Sequence, residues 1–222
     1  MVVTLTVLIV IHGYACKVEG SELPYTEMSI RDIVNKCLEY RETNGTNNIT
    51  FTGGEPLIAP DAPYLLQALC EEGFDVNVET NGAVDISKYF NKETGKVLDK
   101  YNGNLWFTVD YKCTTSGMKD KMILDNFNVK YYHYKNTVYK FVVGSQQDLL
   151  NAEYIIKNYI LINQKGIESY NNLIYISPVF GKIEPKEIVK FMQNHKLYDQ
   201  YTPIRVQLQL HKFIWSPDMK SV

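Results

Sequence analysis

Two hydrophobic periods alternate along the chain. Residues 2–11 (VVTLTVLIVI) are almost wholly apolar and rich in β-branched side chains, which predicts a buried strand. The run is too short to span a bilayer, and it lacks the basic flank and small-residue cleavage site of a secretion signal. Ile30, Ile33, Val34, Cys37 and Leu38 then recur at helical spacing, behind a Ser29/Asp32 pair suited to capping and ahead of Asn44-Gly45 as a stop. Residues 49–52 read as a strand entering Gly53-Gly54, and Tyr64, Leu65, Leu66 and Leu69 read as a helix stopped by Gly73. Strand patterns follow at 74–79, 105–110, 137–143, 173–176 and 204–208. Helical patterns fall at 148–160 and 184–194, and a short helix is expected from Gln209.

Strand and helix in alternation predict a parallel α/β domain. No linker-like tract or repeat divides the chain, so residues 1–222 are read as one domain, with 1–13 atypical. Periodicity leaves open whether the sheet closes into a barrel. Either way, ligands sit at the carboxyl ends of the strands, where the connecting loops converge. After the predicted strands come Thr52-Gly53-Gly54-Glu55-Pro56, Glu79-Thr80-Asn81-Gly82, Asp110-Tyr111-Lys112 and Ser177-Pro178-Val179-Phe180. Gly53-Gly54 lets a ligand approach the backbone closely, and Glu55 is suited to orienting the loop or accepting from a ligand amine. Two glycines alone describe a tight strand-to-helix turn; the whole string TGGEPL after a strand raises the functional reading.

Charge narrows the classes. Lysine plus arginine number 23 against 25 acidic residues, a balance that argues against a nucleic-acid or membrane-surface partner. The aromatic content argues against disorder. Cys16, Cys37, Cys70 and Cys113 lie far apart with no CxxC pair, so the chain offers no local metal-ligand cluster and no disulfide framework. Cys37 and Cys70 fall in helical apolar patterns and read as buried small hydrophobes.

TGGEPL in this position resembles the radical S-adenosylmethionine (SAM) superfamily. ITFTGGEPL (49–57), VETNG (78–82), FTVDYKC with SGM (107–118), YISPVFG (175–181) and the tail RVQLQLHKFIW (205–215) narrow the resemblance to the 7-carboxy-7-deazaguanine synthase family of the queuosine pathway. It covers the chain from about residue 14. It implies a shortened α/β barrel, a cytoplasmic homodimer, and the rearrangement of 6-carboxy-tetrahydropterin with loss of ammonia. The family uses SAM, a [4Fe-4S] cluster, Mg2+ and an electron donor such as flavodoxin or ferredoxin. By the resemblance, Gly53, Gly54, Glu55, Asp110, Tyr111, Lys112, Ser177, Pro178, Val179 and Phe180 contact SAM. Thr52, Glu79 and Asn81 contact the substrate. Asp110 replaces the serine of the family's S-x-K segment.

One departure dominates. The family carries its cluster on C-x3-C-x2-C near the amino terminus, and this sequence has no such run. The upstream substrate loop, the substrate arginine and the Mg2+-linked threonine of the family are missing too. Codons exist for Met1 to Gly13 whose reading, begun at the third base of ATG, spells GCNFNCSYCDTR, the lost motif in step with Tyr14-Ala15-Cys16 if the codon for Gly13 carries one extra base. The expectation is therefore a frame-shifted start, by mutation or by a sequencing error, with no cluster ligands and no turnover in the chain as written. A non-catalytic SAM- or pterin-binding remnant is the alternative. A phosphate loop at Gly53-Gly54 lacks support, since neither GxGxxG nor GxxxxGK[ST] occurs. His133 and His195 read as exposed, His211 as a packing or dimer residue, and Tyr131 to Tyr134 as a packed surface or dimer edge.

Overall fold

The computed structural model describes residues 6–11, 27–94, 96–128, 137–161, 172–198, 203–209 and 214. Cys16, His12, His133, His211, the Tyr131 to Tyr134 run and nearly all of the expected carboxyl-terminal helix lie outside them.

Among the described residues, seven strands form one all-parallel sheet whose spatial order is the chain order: β1 (Thr6–Ile11), β2 (Asn48–Gly53), β3 (Asp75–Thr80), β4 (Leu105–Lys112), β5 (Val138–Val143), β6 (Leu173–Pro178) and β7 (Ile204–Val206). Helices α1 (Ile30–Asn44), α2 (Ala62–Glu71), α3 (Gln146–Ile155) and α4 (Pro185–Asn194) punctuate the crossovers. An unbroken sequential order is what successive β-crossover-β units of one hand produce as they curl into a barrel wall.

Local chemistry sets the helix ends. Ser29 and Asp32 form a reciprocal capping box, and Gly45 closes α1 in the left-handed conformation at φ 65°. The 148–160 pattern divides into α3 and a π-helical extension, Ile156–Leu161; α3 begins two residues earlier than expected because the Ser145 side chain accepts from the Asp148 N–H.

One face of the sheet is committed to the core. Ile49, Phe51, Val76, Val78, Phe107, Val109, Phe141, Val143, Ile174 and Ile176 alternate toward Leu66, Leu69, Leu149, Ala152 and Ile188 of the helices. The opposite face carries Thr52, Glu79, Thr108, Asp110, Lys112, Lys140 and Tyr175, none of them buried. A central parallel sheet is normally apolar on both faces. Here the second face is polar, and it is the inner wall of the partial barrel.

Candidate active site

The carboxyl ends of β2 and β3 are joined by a buried carboxylate. Gly53, at φ 150°, and Gly54 turn the chain out of β2, and Glu55 tucks back under them, 4% exposed. Both of its oxygens accept from the Thr80 hydroxyl at 2.9 Å. The Asn81 N–H donates to Oε2 at 2.7 Å, and the Leu57 N–H to Oε1 at 3.2 Å. Glu55 therefore shapes the loop from beneath. Asn81 is used locally as well, its Oδ1 accepting from the Ala83 N–H at 2.9 Å. Gly82, at φ +78°, lies so close to β4 that a Cβ would stand 2.6 Å from the Asp110 carbonyl oxygen. Asn126, fully buried, holds this loop down, donating to the Gly82 and Val84 carbonyls at 3.1 and 2.8 Å and accepting from the Ile86 N–H at 3.1 Å.

A second buried carboxylate organises the ends of β4 and β5. Asp148 accepts from the Gly144 N–H at 2.9 Å, from the Thr115 N–H at 3.1 Å and from the Thr115 hydroxyl. Burial pushes its pKa up, but the bonds from Thr115, Gly144 and Ser145 outweigh that and hold it below the ordinary value of 3.8. Neither Asn126 nor Asp148 was visible as a site-building residue in the sequence, because Asn126 acts on partners distant along the chain and Asp148 joins its neighbour Gly144 to the distant Thr115.

On the inner wall, Thr52 donates to Glu79 at 3.3 Å, bringing together two residues the sequence assigns to substrate. The Lys112 ammonium meets the Asp110 carboxylate at 2.8 Å, with both side chains partly open to solvent. Ser177 shares this face and donates to Gln207 at 3.3 Å.

Several expectations are corrected. Asp110, Tyr111 and Lys112 lie within β4, which runs two residues further than predicted. Alternation therefore turns Tyr111 away from its neighbours: it is 3% exposed, packed against Phe127 and Phe141, with its phenol pushed up to about 12 by burial. The apolar series Leu105, Phe107, Val109, Tyr111, Cys113 carried that signal in the sequence. Ser177 and Pro178 likewise belong to β6 and are buried, Val179 packs near Gly144, and Phe180 is exposed. His195 is half-buried rather than exposed, stacked on Phe191 at 3.9 Å and bonded to Glu153 at 2.9 Å.

The cysteines decide how an iron–sulfur cluster fits. Cys37, Cys70 and Cys113 are each 2% exposed or less and sit in the hydrophobic core. Burial raises all three thiols, those of Cys70 and Cys113 to about 12, whereas a cluster ligand must be a thiolate. Only Cys16 of the four remains, and one thiol does not make the family's tripod. Among the described residues, the three cysteines do not fit a [4Fe-4S] cluster. Among the described residues, no group of three His, Cys, Asp or Glu side chains is arranged to hold a metal ion, and no helix is long and apolar enough to cross a membrane.

Comparison with known proteins accords with this geometry. The profile of the Radical SAM superfamily matches residues 15–193. The 7-carboxy-7-deazaguanine synthase of Clostridium acetobutylicum is 37% identical over 202 residues, spanning 90% of this chain and 79% of that protein. The protein of that name from Chlorobaculum tepidum is 31% identical, spanning 93% and 81%. Among solved structures, Streptococcus suis SuiB bound to its precursor peptide SuiA superposes with a TM-score of 0.58 at 14% identity, over 94% of this chain. This chain spans only 50% of that longer one, and the likeness is one of fold.

Proposed function

The chain belongs to the radical SAM superfamily and, within it, to the 7-carboxy-7-deazaguanine synthases, a family of lyases, and from that premise we propose that its inner wall is the family's site for SAM and a 6-carboxy-tetrahydropterin, retained in a chain that does not turn over. The reaction of the site is conversion of that pterin to 7-carboxy-7-deazaguanine with loss of ammonia, in the queuosine pathway. Thr52 and Glu79 face the pterin, and Gly54 presents backbone at the SAM end. Lys112, held by Asp110, offers SAM hydrogen-bond donors from a neutralised pair. The family's Mg2+, flavodoxin- or ferredoxin-type electron donor, homodimer and cytoplasmic setting belong to this reading as well.

The single observation that carries the absence of turnover is the commitment of Cys37, Cys70 and Cys113 to the core. The cluster supplies the reducing electron in the family.

Anaerobic reconstitution with iron and sulfide tests the reading. The chain is expected to retain far less than one cluster and to form no deazaguanine product, whereas a version with GCNFNCSYCDTR restored is expected to hold a cluster. A stoichiometric cluster on the unaltered chain overturns it. Calorimetry with SAM tests the binding half: heat from the unaltered chain supports a binding remnant, and no heat from a folded chain refutes one.

A further inference from the structure

Asp110, Lys140, Tyr175 and Arg205 are successive register partners on β4, β5, β6 and β7. The partners one step along, Tyr111, Phe141, Ile176 and Val206, turn toward the core. The first four therefore form one row across the inner wall, since side chains alternate between faces of a sheet.

The charges in that row do not balance. Asp110 is engaged by Lys112 from the next level of the same face. The side chains of Lys140 and Arg205, the latter exposed, make no hydrogen bond or ion pair among the described residues. Lys140 is half-buried in the middle of the sheet, flanked by the fully buried Tyr139 and Phe141. Holding an ammonium there without a counter-charge costs solvation, and the fold gains no contact from it. Arg205 stands two strands away, about 10 Å at ordinary strand spacing. An unpaired positive wall beside an already neutralised Asp110–Lys112 pair suits a ligand that brings its own anion.

We propose that Lys140, with Arg205 beyond Tyr175, is the seat of a ligand carboxylate, and that it makes the site prefer a carboxylated ligand to its decarboxylated counterpart. The inference rests on the proposed function, under which two ligands carry such a group: SAM on its methionine end and the pterin at its 6-position. Lysine serves as a point charge here, so the preference depends on charge more than on a fixed fork geometry.

Calorimetry or pterin fluorescence on the full chain, its Lys140→Met and Lys140→Arg variants, and four probes tests it. The probes are 6-carboxypterin against pterin, and SAM against decarboxylated SAM (S-adenosyl-3-methylthiopropylamine). Lys140→Met keeps the length and apolar stem of the side chain. It is expected to weaken binding of one carboxylated probe by about tenfold, the worth of one charge-assisted hydrogen bond. The uncarboxylated counterpart keeps its affinity, and Lys140→Arg restores the preference. The pair that responds identifies which carboxylate is held. Equal weakening within both pairs, or no change in either, overturns the inference and leaves the proposed function standing. Failure of the unaltered, folded chain to bind any probe overturns both.

Discussion

The Glu55 carboxylate and the Thr80 hydroxyl meet at 2.9 Å beneath the loops that close the site, joining the glycine turn after β2 to the turn after β3. The glutamate of the GGEP string is therefore a structural clamp in this chain, with Asn81 and Leu57 completing its bonds. Replacing it with alanine strands three donors, two buried and one part-buried. We expect Glu55→Ala to destabilise the fold by about 2–4 kcal/mol, since each orphaned buried group costs on the order of 1–3 kcal/mol and relaxation recovers part. Urea denaturation reads this directly. A midpoint unchanged from that of the parent chain refutes the clamp.

Gly82 has a comparable role with a different cause. Its φ of +78°, and the 2.6 Å that would separate a Cβ at this position from the Asp110 carbonyl oxygen, leave no room for a side chain. Gly82→Ala is expected to destabilise by about 1–3 kcal/mol, the range of backbone strain at such positions. Because the clash falls on the backbone of Asp110, SAM binding should weaken more than in a variant of Gly103, which has open space around it. Paired calorimetry on the two variants separates a local effect on the site from general loss of stability.

Much of this architecture was legible in the sequence. The Ser29/Asp32 capping box, the Gly45 stop and the alternating apolar positions of β2 to β6 are local signals, and they became elements close to where their patterns lie. The site was less legible. Asp110-Tyr111-Lys112 reads as a polar loop when treated as a string, yet strand alternation separates Tyr111 from its two neighbours and sends it to the core. Glu55 reads as a ligand contact, although its donors lie about a crossover away at Thr80 and Asn81. Asn126 and Asp148 gave no signal as site residues, because the bonds from Asn126 to the Gly82 loop and from Thr115 to Asp148 span long stretches of chain and only the folded sheet brings those partners together.

Acid should release the Asp148 clamp. Its pKa lies below the ordinary 3.8, so the folded state holds the proton less tightly than the unfolded chain does. The stabilisation is complete above that ordinary value and is lost as pH falls through the lower folded value. Glu153, lowered from 4.5 by Lys157 and His195 against its own burial, adds in the same direction. Denaturation midpoints measured downward from pH 6 should fall most steeply below about pH 4, as expected for depressed carboxylates. Asp148→Asn should flatten part of that fall while lowering stability at neutral pH, because the amide cannot accept all the bonds that Gly144 and Thr115 donate. An unchanged acid limb in the variant refutes the assignment.

The cysteines offer the most direct check on the chemistry. Cys37, Cys70 and Cys113 are enclosed in the core, and burial disfavours the thiolate in each, with Cys70 and Cys113 at about 12. Alkylation requires both access and thiolate character. Iodoacetamide applied to the native chain at about pH 8 should leave these three unmodified for hours, and peptide mapping should find all three labelled after unfolding in guanidinium. The same protection forbids their recruitment by iron: reaching a cluster would mean withdrawing three side chains from the packing of α1, α2 and the end of β4, a loss of about 1–2 kcal/mol for each small buried side chain. Rapid native labelling of any one of them would show that the core opens there, and would remove the basis for denying this chain a cluster.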